Sequence, residues 1–347
     1  MLIIDAKMKI PKIFKQGGFF MLNSKARITA IGSYVPNNKL TNDDLEKLVE
    51  TNNEWIVKRT GIKERRIAHI DEFTSDIGYK AVRNLMERYN QSVDDVDMII
   101  VCSMTPDFNT PSVASLVQAK LGIKYTGAID VNAACAGFTY GLHVANGLIS
   151  SGLHRKILVI GAETMSKITD YQDRTTCILF GDGAGAVLVE YDENQPSFLS
   201  FHMGSEGEKG RNLYCSNLSN RIDDEELLAT DKIVQNGREV YKWAVTTVPK
   251  GMQNVMENAS IPLRDVDWFV PHSANLRMIE SICDRADFPI EKTLYSLVHY
   301  GNTSAATIPL SLDKGVLEGK VQKGNNILLY GFGGGLAHAG LLINWSI

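Results

Sequence analysis

An α/β fold copied once along the chain is what this sequence predicts, and three observations carry the prediction. The chain repeats itself at an offset of 170. Asp95-Val96-Asp97 leads into Met98–Val101, and Asp265-Val266-Asp267 leads into Trp268–Val270. Lys156–Gly161 recurs as Asn326–Gly331, and the small-residue turn Asn132–Gly137 as Asn302–Thr307. Apolar runs of strand length alternate with helical patterns, and they are continuous rather than alternating, as in strands covered on both faces. Each half also closes on a glycine-rich segment and a strand, Gly181–Gly185 and Gly331–Gly335. Each half is therefore a layered α/β unit.

Taken in order, residues 1–21 form an N-terminal extension, disordered or non-native. Lys7, Lys9, Lys12 and Lys15 interrupt its short apolar clusters, which lack the apolar core of a signal peptide. Met21 is the expected natural start, and a membrane-surface role for the lysines is the alternative reading. Residues 22–195 make the first half, with amphipathic helices over 75–88 and 111–121 and strands over 98–103 and 128–131. The second of those strands reads as buried. A helix over 138–150 and a strand over 157–161 follow. The boundary falls near Asn194-Gln195-Pro196, and residues 196–347 make the second half. Residues 203–235 are polar and acidic, with Asp223-Asp224-Glu225-Glu226 at their centre; they read as a solvated excursion or as a lid over a substrate tunnel.

The net charge of −4 argues against general nucleic-acid binding, which wants a basic face. Five cysteines without CxxC spacing argue against a disulfide framework or a zinc site, and fit a reducing compartment. No apolar run approaches the ~18–20 residues that span a bilayer. The glycine-rich segments precede strands, whereas a dinucleotide motif follows a strand and opens a helix, so NAD is discarded.

Cys135 is the candidate nucleophile. It sits in Asn132-Ala133-Ala134-Cys135-Ala136-Gly137, where a strand breaks into an apolar helix. A thiol at a helix start faces unpaired N–H groups and the positive end of the dipole, which favour thiolate. The same groups can hold an oxyanion. On spacing alone a buried structural cysteine is equally open. The duplication adds partners: His272 occupies the repeat position of Cys102, and Asn302 precedes the helix that corresponds to the Cys135 helix. A pseudo-two-fold brings these turns to one face.

Trp55–Ile62, Ala134-Cys135-Ala136-Gly137-Phe138, Phe180–Gly185, Pro271-His272-Ser273-Ala274-Asn275, Tyr300–Ser304 and Gly331–Gly335 occur in order. With these landmarks the chain, from about residue 24 to 347, resembles the β-ketoacyl-acyl-carrier-protein synthase III family, within the thiolase superfamily. The resemblance implies a duplicated five-layer αβαβα fold and a soluble, cytoplasmic homodimer that begins fatty-acid chains. It implies that Cys135 takes an acyl group from an acyl-CoA, with the Cys135 and Gly334 N–H groups as oxyanion hole. Malonyl-acyl-carrier protein then loses CO2 while His272 and Asn302 stabilise the enolate, and the carbanion attacks the acyl-Cys. No cofactor or metal is implied; the CoA thioester is substrate. Trp55 and Arg174 would sandwich the adenine of CoA, with Thr51 and Arg59 nearby and Asn275 on the pantetheine arm. Lys242, Arg277 and Arg285 would meet the acidic carrier protein.

The chain departs from the family pattern at several positions. Ser273 replaces the usual Gln, Asp284 stands where a carrier-contacting Lys is frequent, and Arg238 stands where some members have Asn. Leu336-Ala337-His338 replaces Leu-Thr-Trp. Thr110 stands where some straight-chain enzymes place Phe, which implies a larger primer pocket for branched or longer acyl groups. The alternative is a secondary-metabolism ketosynthase or acyltransferase with the same acyl-Cys and a different acceptor. The duplicated architecture and glycine-rich endings argue against a cysteine hydrolase of the Cys-His-Asn kind, and the complete Cys135, His272 and Asn302 set argues against a non-catalytic carrier-binding or scaffold protein.

Overall fold

Two twisted sheets lie on either side of a shared helical layer. The computed structural model describes residues 23–222, 224–227 and 231–347. The expected extension over residues 1–21, with its lysines and Met21, lies outside the described residues, as does Asp223 of the acidic run.

In the first half, β1 (Ala26–Tyr34) is followed by the short helix α1 (Asn53–Thr60) and α2 (Thr74–Tyr89). Then come β2 (Met98–Cys102), α3 (Val113–Leu121), β3 (Gly127–Val131), α4 (Gly137–Ser150), β4 (Lys156–Thr164) and β5 (Asp182–Tyr191). The second half holds β6 (Phe198–Ser205), α5 (Gly237–Ala259), β7 (Trp268–Pro271), α6 (Leu276–Ala286), α7 (Thr307–Leu317), β8 (Asn326–Gly333) and β9 (Ala337–Asn344).

The first sheet has the order β1-β5-β4-β2-β3 and the second β7-β8-β9-β6. Offset by 170, β2, β4 and β1 find mates in β7, β8 and β6, and β5 corresponds to β9 by its place in the sheet. Each mated pair runs in the same sense: β2–β4 and β7–β8 are parallel, β4–β5 and β8–β9 antiparallel. The counterpart of the β2–β3 ladder shrinks to a single parallel bridge, Phe269 to Thr293.

The continuous apolar runs do what their composition requires. Ile157–Thr164 and Ile327–Gly333 are buried throughout, because helices cover both faces. Helices α2 and α3 pack outside the first sheet, where Ile77, Ala81, Leu85 and Val117 meet Ile99, Leu158 and Leu188. Helices α5 and α6 cover the second, through Val248, Met252 and Ile279 on Phe269 and Leu328. Between the sheets, Phe138 and Leu142 of α4 and Ile308 and Leu312 of α7 share one core with residues from both halves. These are the five layers of the expected αβαβα arrangement.

Strand β3 departs from the expectation of a buried strand. It is the edge of its sheet, and Ile129 is 39% exposed. Its apolar sequence is that of a covered strand, yet among the described residues none covers its outer edge at Ile129. The Asp130 carboxylate turns back to accept the Val113 and Ala114 N–H groups at 2.7 and 2.8 Å, fixing the start of α3. The polar excursion is also only partly solvated. Leu213–Cys215 pairs with Ile233–Gln235, and Ile233 packs on Met165 and Phe180, while Leu218 at the tip is 95% exposed.

Candidate active site

Two turns of identical construction face each other across the central layer. In the first, Asn132 Oδ1 accepts from Ala134 N at 3.2 Å, Ala134 takes φ +44°, and a single 3-10 turn, Ala134–Ala136, runs into α4. In the second, Asn302 Oδ1 accepts from Ser304 N at 2.9 Å, Ser304 takes φ +46°, and Ser304–Ala306 runs into α7. A side-chain oxygen that caps its own turn is how Asn stabilises such a bend. Because Asn302 Oδ1 is occupied, its Nδ2 is the atom left to donate.

The glycine-rich strand end is shaped around Cys135. A Cβ on Gly331 would stand 2.7 Å from Ala136 Cα, and one on Gly333 would stand 2.7 Å from Cys135 Cβ and 2.8 Å from Sγ. Only glycine lets β8 press this closely on the first turn. The duplication makes the reciprocal contact too, for a Cβ on Gly161 would come 2.6 Å from the Ala305 carbonyl. Leu213, from the polar excursion, approaches Gly334 and so helps wall the site.

Cys135 itself corrects the expectation of a resting thiolate. Its sulfur precedes α4 and is buried, and burial pushes the thiol up to about 11. The Ser304 hydroxyl and the Gly334 and Cys135 N–H groups pull the other way, and the Glu163 carboxylate adds to the rise. Desolvation outweighs those donors, so the resting group is a thiol.

His272 ends β7 beside it, 2% exposed, and burial drops its value to about 3 against a smaller opposing effect of the Ser304 backbone. The imidazole is neutral. Its Nδ1 lies 2.8 Å from Thr307 Oγ1, whose hydroxyl donates to the Ser304 carbonyl at 2.9 Å. Asn302 is held by Asn302 N–H to Leu179 O, 2.8 Å, and by Gly181 N–H to Asn302 O, 3.1 Å. Behind them Arg65, wholly buried on the short strand Glu64–Ile67, gives Nε and Nη2 to the Ile178 carbonyl and Nη1 to Asn42 Oδ1.

Sequence reading did not find Glu163, Ser304, Thr307 or Arg65. Glu163 carried a signal: a carboxylate at the end of an otherwise apolar strand needs partners wherever it is buried. It is fully buried and accepts from Ser103 Oγ, Thr105 Oγ1, and the Met104, Thr105 and Ala305 N–H groups.

The residues expected to bind CoA lie outside this chamber. Arg174 Cζ stands 5.4 Å from the centre of the Trp55 ring, so the two sandwich partners meet directly, and Arg174 also donates to Glu50 O at 3.1 Å. Arg59 is exposed on α1, and Thr51 Oγ1 is buried without a hydrogen-bond partner. Asn275 caps α6, accepting from Arg277 N at 3.0 Å, and its Nδ2 donates to Arg59 O at 3.2 Å. Lys242 and Arg277 are exposed on α5 and α6, with Lys242 paired to Glu239 at 2.7 Å. Arg285 donates Nη1 to Val245 O at 3.0 Å. Thr110 is exposed on the loop between β2 and α3. Among the described residues no cluster of His, Cys, Asp or Glu is arranged to hold a metal ion.

The profile of 3-oxoacyl-[acyl-carrier-protein] synthase III matches residues 129–207, and the profile of its C-terminal part matches residues 256–345. The β-ketoacyl-[acyl-carrier-protein] synthase III 2 of Halalkalibacterium halodurans is 74% identical over 324 residues, 93% of this chain and 98% of that protein. The chain belongs to the β-ketoacyl-acyl-carrier-protein synthase III family. Its fold agrees with that of the Thermus thermophilus synthase III at a TM-score of 0.89 and 41% identity, over 92% of this chain and 99% of that one. The priming β-ketosynthase of the R1128 polyketide pathway superposes at 0.87 with 33% identity, over 93% and 97%. This synthase is therefore a condensing acyltransferase with the duplicated thiolase-like fold. Among its described residues no helix is long and apolar enough to cross a membrane.

Proposed function

We propose that this synthase begins fatty-acid chains by decarboxylative condensation of an acyl-CoA primer with malonyl-acyl-carrier protein, and that Cys135, His272 and Asn302 carry the reaction. The observation behind this reading is the convergence of the two duplicated turns: the Cys135 thiol and the neutral His272 imidazole both adjoin the Ser304–Thr307 turn that Asn302 opens.

In the acylation half-reaction the Cys135 sulfur attacks the thioester carbonyl. The Cys135 and Gly334 N–H groups receive the developing oxyanion, and CoA leaves. In the condensation half-reaction malonyl-acyl-carrier protein loses CO2, and the electron pair of the broken C–C bond passes into an enolate. Asn302 Nδ2 and His272 Nε2 donate to the enolate oxygen. For His272 to do so, the single Thr307 hydroxyl proton must go to Nδ1. The carbanion then attacks the acyl-Cys carbonyl and releases β-ketoacyl-acyl-carrier protein. Decarboxylation supplies the carbanion, so the scheme needs no cofactor. Neutral donors suit it, since a cationic imidazole is disfavoured by burial.

Thr51, Trp55, Arg59, Arg174 and Asn275 line the approach for CoA; the adenine would enter between Trp55 and Arg174 by parting their contact. Lys242, Arg277 and Arg285 offer positive charge to an acidic carrier, tempered by Asp284 and Glu239. A homodimer through the exposed β3 edge would cover Ile129 and complete the ladder. Thr110 would reach a primer pocket only through such packing, and its small side chain would admit branched or longer primers.

The test is intact-protein mass after mixing with a panel of acyl-CoAs, then with malonyl-acyl-carrier protein. The expected result is a primer-sized gain that C135A lacks, discharged as β-ketoacyl-carrier protein. The 33% identity to a polyketide priming ketosynthase supports a second reading, with a different acceptor. Discharge to another acyl acceptor alone would select it.

A further inference from the structure

Cys135 must lose a proton before its sulfur can attack, and neutral His272 has little basicity to offer. We propose that Ser304 Oγ relays the Cys135 proton to the Glu163 carboxylate, which makes Glu163 the base of the acylation half-reaction. The relay rests on the reading of Cys135 as the acylated residue.

The geometry separates the two oxygens of Glu163. Oε2 accepts from Thr105 Oγ1 at 2.6 Å, Ser103 Oγ at 3.0 Å, and Met104 N and Thr105 N at 3.1 Å each. That oxygen is saturated and anchors the carboxylate. Among the described residues Oε1 has only the long contacts to Met104 N at 3.2 Å and Ala305 N at 3.4 Å, on the side of the Ser304–Ala306 turn. Ser304 is wholly buried, and its hydroxyl has no partner at hydrogen-bonding geometry. Its turn packs directly on the Cys135 turn, and the next N–H, that of Ala305, reaches Glu163 Oε1 at 3.4 Å, so the thiol and the carboxylate both adjoin it, and the hydroxyl influences both.

A buried hydroxyl without a partner is costly, and the turn has no need of it. Ala134 holds the same φ at the mated position with a methyl group alone. The hydroxyl therefore answers to its two neighbours, and it has what a relay requires: one proton to give and a lone pair to receive.

The step balances. The S–H proton passes to Ser304 Oγ as the Ser304 proton passes to Glu163. The sulfur pair forms the new S–C bond, and the carbonyl π pair moves to the oxygen held by the Cys135 and Gly334 N–H groups. Collapse restores C=O and breaks the C–S bond of CoA. The departing sulfur takes the proton back from Glu163 through Ser304. An acyl-CoA and a thiol become an acyl-Cys and free CoA, with the carboxylate regenerated.

Burial pushes Glu163 up to about 7, against the donors from Thr105, Met104 and Ser103 and the nearby Ser304 hydroxyl, which suits a base acting near neutrality. The titratable groups facing it are the Cys135 thiol and, at the end of β2, the Cys102 thiol.

The experiment is single-turnover acylation of the full-length enzyme by its best acyl-CoA, quenched and read by intact mass from pH 5.5 to 9.5. Wild type, S304A, E163Q and H272A are compared, alongside malonyl-carrier decarboxylation by pre-acylated protein. Wild type should reach a plateau above about pH 7. S304A and E163Q should acylate on the order of 100-fold more slowly at pH 7. Their rates should keep climbing as the thiol ionises unaided, while decarboxylation stays within about twofold. S304A acylating at the wild-type rate and profile would overturn the relay. So would an equal loss in both half-reactions, or a plateau lost in H272A alone. If E163Q does not fold, S304A decides. Failure of wild type to acylate with any primer would instead remove the reaction assignment itself.

Discussion

Thr307 Oγ1 sits 2.8 Å from His272 Nδ1 and 2.9 Å from the Ser304 carbonyl, so its one proton, given to the carbonyl or turned to Nδ1, sets which nitrogen of the ring carries the proton. A Thr307 that donates to Nδ1 leaves the proton on Nε2, where it can meet the enolate. Replacement by valine keeps the shape and removes the proton. T307V should slow malonyl decarboxylation by roughly 10- to 100-fold, as expected for a lost hydrogen-bond donor at a developing charge. Acylation of Cys135 should be much less affected, and T307S should recover most of the loss. Separate assays of the two half-reactions check this.

Gly333 makes room for the nucleophile, so G333A should fold but push Cys135 out of line. The cost in stability should be about 1–3 kcal/mol, the usual range for overpacking. The acylation rate should fall by far more than that loss of fold accounts for. Thermal unfolding and acyl-enzyme mass read on one preparation distinguish the two effects.

Arg65 binds a carbonyl with two nitrogens and Asn42 with a third, which a lysine cannot reproduce. R65K should cost about 1–3 kcal/mol by leaving buried acceptors short of donors. Because the segment it holds, Ile178–Gly181, is hydrogen-bonded to the Asn302 backbone, condensation should suffer more than acylation. Equal loss in both would show that Arg65 supports only the fold.

His338 replaces an aromatic of the family pattern and is buried against Tyr330, whose hydroxyl lies 2.8 Å from its Nδ1. Burial holds it at about 4, below the ~6.5 of an unfolded chain. The folded state therefore binds fewer protons there, and its stability contribution is complete above pH 6.5 and lost as pH falls toward 4. Glu163, raised to about 7, acts with the opposite sign between its unfolded value and 7. The clean measurement is a difference. The destabilisation caused by H338Q should be largest near pH 7.5 and shrink steadily by pH 5 in urea titrations.

The fold was legible because the duplication is written in short apolar runs whose register survives in β2 and β7, and in β4 and β8. The turns that carry Cys135, His272 and Asn302 were legible for the same reason, since the repeat names each of them twice. What stayed hidden is polar and buried. Ser304 and Thr307 lie in a turn the repeat marks, and Arg65 on a short strand, but the sequence does not say which distant groups each meets across the interior. The edge position of β3 was hidden too, because an apolar strand reads alike whether a helix or a neighbouring molecule covers it. The state of the Cys135 thiol was misjudged because the helix start was visible in the sequence and the depth of burial was not.

The single core shared by α4 and α7 ties the fates of the two halves together. Glu193, Asn194 and Gln195 form an exposed link between the sheets, the kind of place a protease cuts. A nick there would sever the chain without disturbing the molecule, since Phe138, Leu142, Ile308 and Leu312 would still hold one another. Separation is another matter: either fragment alone would present an inner helix to water on the face that its twin had covered. The protein thus behaves as an obligate heterodimer whose subunits happen to be joined by a peptide bond, and two co-expressed fragments should find each other while neither survives by itself.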